Sequence, residues 1–391
     1  MDEVVIVAAR RTPIGSFMGA LASMPAPQLG AVAIKAALED SGAPADEIDE
    51  VILGCVLPAG VGQAPARQAA LAAGLPTRVP CTTINKVCGS GMKSAMLAAD
   101  AIRTGAARRI IAGGIESMSG APYLLPKARA GYRMGHGEVL DHMFYDGLQN
   151  PYDGQLMGHF AELTARKYGF TRAEQDAFAT ESVRRALAAS DGGAFKTEIA
   201  PVTVKTRKGE QRIERDETPY NCDISKIPQL KPAFDRDGTV TAASSSSIAD
   251  GAAALVLMSE AAARAQGARP LARVVSYASH AQEPQWFTTA PAGAIRLALE
   301  RAGWNDSTVD LYEINEAFAV VTMAAVRDLG LDPAKVNING GACALGHPIG
   351  ATGARITTTL LHALRARGLR RGIASLCIGG GEATAIALET I

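Results

Sequence analysis

The sequence has no excess of charge of either sign. Its 391 residues include 39 basic and 39 acidic side chains, without a long block of either kind. A nucleic-acid-binding surface normally shows a basic excess, so we expect no nucleic-acid partner. A local basic pocket for a phosphorylated ligand remains compatible with this balance.

Long apolar runs are also missing. No run reaches the roughly 18 residues of a membrane span, so we expect no membrane partner. The first residues, MDEVVIVAAR, are acidic and then strand-like, unlike a secretory or transit signal. The six cysteines lie singly at 55, 81, 88, 222, 343 and 377, without C-x-x-C pairs. This spacing argues against a disulfide scaffold or a zinc site and indicates a reducing, cytoplasmic location with no bound metal.

Aromatic residues are scarce, at 5%, whereas glycine is abundant, with 40 residues. This composition favours an α/β protein with close helix–sheet packing and tight turns. Strand-like segments at 4–8, 50–54 and 109–113 alternate with helical patterns near 27–40 and 92–104. The alternation predicts βαβ units and a mostly parallel sheet.

A loop-rich stretch follows, with a helix predicted near 171–190. After residue 250 the alternation resumes, with strands at 271–276 and 309–314, helices at 291–303 and 351–367, and a closing hairpin of 373–378 with 383–389. The two ends of the chain therefore show a similar order of elements. We interpret them as two similar halves, a possible duplication, separated by an insertion.

Cys88 stands in INKVCGSGMKSAML, between a strand-like and a helix-like run. The start of a helix carries free N–H groups and partial positive charge, which stabilise a thiolate. Gly89 and Gly91 would let a ligand approach the backbone. The alternative is a buried structural cysteine beside a turn.

Three further segments contain reactive groups next to glycine-rich turns. His347 lies in NGGACALGHPIGATG before Pro348, which suits the first turn of a helix; the alternative is a structural histidine. Cys377 ends a strand before Gly379 in SLCIGGGEA, where amide groups can face an anion or merely form a hairpin. Asn315, in NEAFA, is either functional or an N-cap.

Together the four segments supply a nucleophilic thiol, an imidazole to deprotonate it, a second thiol for proton transfer and amide donors for an oxyanion. In this combination the sequence resembles the thiolase family over essentially its whole length. NKVCGSGMKS, NEAFA, NGGACALGHPIGATG and SLCIGGG occur in the order and spacing of that family. GGIESMSGAPY and LMGHFAELTARKYGFTRAEQDAFA also agree.

The resemblance implies a five-layered αβαβα fold of two similar halves with an inserted loop domain. The implied limits are 1–118 with 250–268 for the N-terminal half, 119–249 for the loop domain covering coenzyme A, and 269–391 for the C-terminal half. A homotetramer or homodimer is implied, with 120–145 resembling a tetramerisation loop.

The resemblance also implies residue roles. Cys88 would carry the acyl group, and His347 would activate it. His347, with a water held by Asn315, would form one oxyanion hole, and the N–H groups of Cys88 and Gly379 a second. Cys377 would move protons to and from the α-carbon and the coenzyme A thiol.

The implied reaction is reversible Claisen condensation of two acetyl-CoA to acetoacetyl-CoA and coenzyme A, with no prosthetic group. The alternative is a 3-ketoacyl-CoA thiolase of β-oxidation with longer-chain preference. The residues expected to contact coenzyme A thioesters are Ser246, Met157, Leu148, Phe234, Ala242 and Phe318.

The sequence departs from the family pattern in places. TAASSSSIAD, at 241–250, lacks the usual Asn at 244 and Gly at 247, and the usual arginine near 219 is missing. Glu382 stands where Met or Gln is commoner. These changes concern coenzyme A affinity and chain preference. A decarboxylating condensing enzyme is disfavoured by Cys377, and a non-catalytic acyl-CoA carrier by the intact reactive set.

Overall fold

The computed structural model describes residues 2–207 and 209–391. Within them lie a large mixed sheet, two short ribbons and helices packed against the sheet. The strands are β1 (Val4–Arg11), β2 (Gly15–Ser16), β3 (Glu50–Gly54), β4 (Cys81–Ile84), β5 (Arg109–Ser117), β6 (Tyr123–Leu124), β7 (Leu140–Asp141), β8 (Val202–Thr206), β9 (Gly209–Ile213), β10 (Ala249–Ser259), β11 (Ala272–Ala281), β12 (Leu311–Ile314), β13 (Arg371–Ile378) and β14 (Glu382–Thr390). The α-helices are α1 (Ala26–Ser41), α2 (Pro65–Ala72), α3 (Ser90–Arg103), α4 (Met157–Tyr168), α5 (Arg172–Asp191), α6 (Thr218–Asn221), α7 (Glu260–Gln266), α8 (Ala290–Ala302), α9 (Ala319–Leu329), α10 (Ala342–Leu345) and α11 (Thr352–Ala366).

The predicted closing hairpin is confirmed, since β13 pairs antiparallel with β14. The prediction of a mostly parallel sheet was wrong. In the described chain the parallel pairs of this sheet are β3 with β4, β3 with β5 and β12 with β13, and its other pairs are antiparallel. The strand β10, which the sequence patterns did not reveal, is buried along its whole length. A strand buried on both faces has no apolar–polar alternation, so its periodicity carries no signal.

The two halves of the chain build the sheet in the same way. Strands β1, β10, β5 and β3 lie side by side with antiparallel, antiparallel and parallel pairings. Strands β11, β14, β13 and β12 repeat that order and those senses. A short antiparallel contact between β1 and β11 joins the halves. This match supports the interpretation of two similar halves.

Helices cover and separate the two halves of the sheet. Apolar residues of α1, including Leu29 and Ile34, pack on one outer face, and those of α8, including Ile295, pack on the other. Between them α3 and α11 form a central layer through Met92, Ile356 and their neighbours. The packing therefore gives the expected five layers, αβαβα. The domain limits at 118, 249 and 268 stay predictions.

The insertion is fixed to the N-terminal half by a buried ion cluster. Arg11, at the end of β1, is fully buried and donates from Nε to Glu198 at 2.6 Å. Its two terminal nitrogens donate to Asp216 at 2.7 and 2.9 Å. Breaking such a buried pair from one side is strongly destabilising, so these contacts constrain the insertion. Among the described helices, none is both long and apolar enough to cross a membrane.

Candidate active site

The amino ends of α3 and α11 meet at the centre of the molecule. A Cβ on Gly91 would lie 2.8 Å from the backbone nitrogen of Ala354, and one on Gly353 would lie 2.3 Å from that of Met92. Only glycine permits this backbone-to-backbone approach. Because Cys88 precedes α3 and His347 precedes α11, the approach brings both side chains to one cavity. The glycines next to Cys88 thus make room for protein, and not for a ligand as the sequence had suggested.

That cavity has a volume of about 190 Å³ and a mostly apolar wall. Of the predicted contact residues, Ser246, Met157, Leu148, Phe234 and Phe318 line it. Ala242 is exposed and lies outside this wall, and its contact with coenzyme A stays a prediction. Further apolar residues of the wall were not predicted from the sequence, namely Met118, Phe144, Leu156, Phe287 and Ile349.

Cys88 lies on a strained turn and is partly accessible from the cavity. The preceding residue, Val87, has φ of 46°, a left-handed conformation that is a clear outlier for a β-branched side chain. Burial raises the pKa of the Cys88 thiol to about 11, although the N–H groups of Gly379 and of Cys88 itself oppose this rise. The expected stabilisation of a thiolate by the helix start is therefore outweighed by burial.

His347 is held with its Nε2 atom free to accept a proton. Its Nδ1 atom lies 2.6 Å from Oγ1 of Thr352, and that hydroxyl donates to the carbonyl of Pro348 at 2.9 Å. Having given its only proton to Pro348, Thr352 accepts from Nδ1–H. Nε2, buried and without a protein partner, then carries the lone pair. Sequence reasoning missed Thr352, which lies one turn beyond His347.

Burial lowers the pKa of His347 to about 3, and the positive charge of Arg355 adds to this effect. With Cys88 at about 11, both side chains are neutral near pH 7. The pair is thus a neutral thiol and a neutral imidazole.

Cys377 lies at the end of β13, fully buried behind the cavity. Burial raises the pKa of its thiol well above the usual value, and a negative charge on Cys88 would raise it further. The backbones that carry the two thiols pack together, because a Cβ on Gly89, next to Cys88, would lie 2.4 Å from Cδ1 of Ile378, next to Cys377. The structure therefore brings Cys88 and Cys377 together, although Cys377 is not part of the cavity wall.

Asn315 follows β12 and is also buried behind the wall. Its amide oxygen and nitrogen find no protein partner. Buried amides are nearly always hydrogen-bonded, so this side chain is suited to holding a water. Since its side-chain amide makes no hydrogen bond to protein, an N-cap role finds no support.

Gly379 lies on the cavity wall, at the start of the turn that joins β13 to β14. Its N–H faces the sulfur of Cys88. The predicted amide donors are thus present at the thiol.

A buried carboxylate, Glu116 at the end of β5, holds the loops around the site, and sequence reasoning gave it no role. It accepts from the N–H groups of Val56 and Leu57 at 3.1 and 3.2 Å and of Gly350 at 2.8 Å. These bonds tie a loop of one half to the His347 loop of the other. Burial raises the pKa of Glu116 to about 7 against the effect of these donors.

The altered segment at 244–247 keeps a defined conformation. Ser244 accepts from the N–H of Thr241 at 2.8 Å, and Ser245 donates to the Thr241 carbonyl at 2.7 Å. Further along, the carbonyl of Ser247 accepts from the N–H of His347 at 2.9 Å. The backbone of this segment thus helps to position the histidine.

Comparison with known proteins agrees with this geometry. The family model described as "Thiolase, N-terminal domain" matches residues 4–261, and "Thiolase, C-terminal domain" matches 268–390. An acetyl-CoA acetyltransferase of Pseudomonas aeruginosa is 53% identical over 390 residues, 99% of each chain. One of Escherichia coli is 53% identical over 393 residues, all of each chain. The crystal structure of the Bacillus anthracis acetyl-CoA acetyltransferase has a TM-score of 0.98 at 44% identity, covering 100% of this chain and 99% of that one.

Proposed function

Because this chain belongs to the thiolase family, we propose that it interconverts two acetyl-CoA with acetoacetyl-CoA and coenzyme A through an acyl group on Cys88. One observation supports this proposal above all: Cys88 and His347 face the same apolar cavity. There Nε2 of His347 is free to act as a base, and the Gly379 amide faces the Cys88 sulfur.

In the first half-reaction Cys88 attacks the thioester carbonyl and its proton passes to Nε2 of His347. The N–H groups of Cys88 and Gly379 stabilise the tetrahedral oxyanion. Collapse leaves acetyl-Cys88, and the departing coenzyme A thiolate takes the proton of Cys377. The enzyme then carries an imidazolium at His347 and a thiolate at Cys377.

In the second half-reaction the Cys377 thiolate removes an α-proton from a second acetyl-CoA. Its buried position, which makes the thiolate costly, also makes it a strong base. The enolate oxygen is stabilised by Nε2–H of His347 and a water on Asn315. The carbanion attacks acetyl-Cys88, and the released Cys88 thiolate recovers its proton from His347.

The substrates are acyl-CoA and coenzyme A, and no prosthetic group enters this scheme. The longer-chain alternative is not favoured, since relatives of about 50% identity over the full chain are named acetyl-CoA acetyltransferases. The test is thiolysis: acetoacetyl-CoA should be cleaved with ping-pong kinetics and with higher kcat/KM than longer 3-ketoacyl-CoAs. Faster turnover of a long-chain substrate would contradict the assignment.

We also infer a homotetramer or homodimer located in the cytoplasm. Within 120–145, several large apolar side chains are exposed, namely Tyr123, Leu125, Tyr132, Met134, Val139, Phe144 and Tyr145. Clustered exposed apolar groups of this kind suit a subunit interface. The six free cysteines fit a reducing compartment. Light scattering of the purified protein would give the oligomeric state, and a monomer would contradict the inference.

A further inference from the structure

Two turns meet at the oxyanion donors around Cys88. One is 86–89, which precedes α3, and the other is 379–381, which joins β13 to β14. The first turn packs against the end of β13, because a Cβ on Gly89 would lie 2.4 Å from Cδ1 of Ile378, and it contacts the second turn, because a Cβ on Gly379 would lie 3.9 Å from Cγ1 of Val87. The position of the Gly379 amide relative to the Cys88 sulfur therefore depends on how the two turns are held together.

The second turn has little stiffness of its own. It consists of three glycines, and Gly380 and Gly381 have φ of 93° and 90°. Nothing lies within 4 Å of where a Cβ of Gly380 would be. Gly381 is fixed by its carbonyl, which accepts from the N–H of Gln282 at 2.8 Å. That bond anchors the far end of the turn and leaves the Gly379 end dependent on other contacts.

An ion pair connects the two turns beside the site. Nζ of Lys86 donates to Oε2 of Glu382. Lys86 lies two residues before Cys88, and Glu382 is the first residue of β14, paired with Ile378 across the hairpin. The side chains are 25% and 37% exposed, so the pair adds little to the free energy of unfolding. Its position, bridging the two donor-bearing turns, is what distinguishes it from other surface pairs.

We propose that the Lys86–Glu382 ion pair is a clamp that holds the Gly379 amide at the distance required by the acyl-transfer intermediate. Both are positioning residues, since neither touches the reacting atoms. The inference rests on the proposed function and adds a determinant of its first half-reaction. Glu382 is one of the departures from the family pattern, so the clamp is a feature of this chain's own sequence.

The test compares Glu382→Gln and Lys86→Met with the wild type in single-turnover acetylation of Cys88 by acetyl-CoA. Removing a whole oxyanion donor costs about 10²–10³ in rate, so displacing one should slow acetylation about five- to tenfold. KM should change less than twofold. Because the pair is partly exposed, the defect should shrink as ionic strength rises. When Cys88 is fully acetylated, exchange of the α-hydrogens of acetyl-CoA with solvent deuterium should stay within twofold of the wild-type rate, because this step depends on Cys377.

The matched control is Glu47→Gln, which breaks another partly exposed pair. Arg109 and Glu47 are 14% and 47% exposed, and Arg109 is the first residue of β5, at the opposite end of that strand from Glu116 and the loops around the site. This variant should acetylate at the wild-type rate. The reversed pair, Lys86→Glu with Glu382→Lys, should recover at least half of the lost rate.

Wild-type acetylation rates in Glu382→Gln at low salt would overturn the clamp, as would a reversed pair no faster than the single variants. If Glu382→Gln folds poorly, Lys86→Met alone decides, because it neutralises the pair without altering the hairpin. A wild-type protein that acetylates no residue would refute the proposed function itself. If the wild type is acetylated on Cys88 and the Glu382→Gln and Lys86→Met variants are acetylated at the same rate, only the clamp is refuted.

Discussion

Replacing Thr352 with valine should remove the preference of His347 for the tautomer that carries its proton on Nδ1. The Thr352 hydroxyl accepts from Nδ1–H of His347 at 2.6 Å while it donates to the Pro348 carbonyl. Valine has nearly the same shape and provides no acceptor. The ring can then carry its proton on Nε2, and a protonated Nε2 cannot take the proton of Cys88.

The expected magnitude follows from the hydrogen bond that is lost. An ordinary hydrogen bond contributes about 0.5–1.5 kcal/mol net, and a buried unsatisfied donor costs about 1–3 kcal/mol. If the energetic preference for the tautomer with a proton on Nδ1 falls by about 1–2 kcal/mol, its population relative to the other tautomer falls about 5–30-fold, at roughly 1.4 kcal/mol per factor of ten. The acetylation rate of Cys88 should fall by that factor. KM should be nearly unchanged, since Thr352 does not line the cavity.

Rapid quenching followed by mass spectrometry of Cys88 measures this rate. Thr357→Val is the matched control, because Thr357 is equally buried on α11 and makes the same kind of backbone bond, to Gly353 at 2.7 Å, without contacting the histidine. It should acetylate normally, and Thr352→Ser should retain most of the rate. Equal rates in Thr352→Val and wild type, or an equal loss in Thr357→Val, would refute the tautomer argument.

Three further predictions follow from the buried groups. Burial raises the folded pKa of Glu116 from 4.5 to about 7, so the free energy of unfolding should fall as pH rises across that window. Glu116→Gln should remove this part of the pH dependence. A constant difference in melting temperature between variant and wild type from pH 5 to 8 would contradict it. With the Cys88 pKa at about 11, alkylation by iodoacetamide should rise about tenfold per pH unit from pH 7 to 9; a plateau already at pH 7 would indicate a thiolate–imidazolium pair with His347. Cys377→Ala should still acetylate Cys88 but lose deuterium exchange at the acetyl α-carbon, and normal exchange would remove its acid–base role.

The candidate reactive residues could be identified from the sequence because each stands at a turn with a distinctive composition. Cys88, His347 and Cys377 are chemically rare groups beside glycines, and that pattern is local. Their meeting in one place also followed from the similar order of elements in the two halves. Such local patterns predict the local structure correctly because the turns in which they occur are short and sterically constrained.

The sequence did not reveal in the same way which neighbouring strands run parallel and which run antiparallel. Helices between strands suggested crossovers, whereas β10 returns from the insertion and runs antiparallel between β1 and β5. An apolar run that is buried on both faces has no period of two. Only long-range pairing, which the sequence pattern does not encode locally, decides where such a strand inserts.

The supporting contacts of the site were likewise hidden. The roles of Thr352 and Glu116 arise from bonds to groups that tertiary structure brings near, such as the Gly350 amide at 2.8 Å. The purpose of Gly91 was misjudged because a glycine in the first turn of a helix can make room either for a ligand or for a neighbouring backbone.

Peptide mapping after incubation with acetyl-CoA tests whether Cys88 carries the acyl group. We predict a single acetyl group on the peptide containing Cys88, lost on addition of coenzyme A and absent in Cys88→Ala. Acetylation that maps to Cys377 or another cysteine, or that persists in Cys88→Ala, would refute the role of Cys88 as the nucleophile.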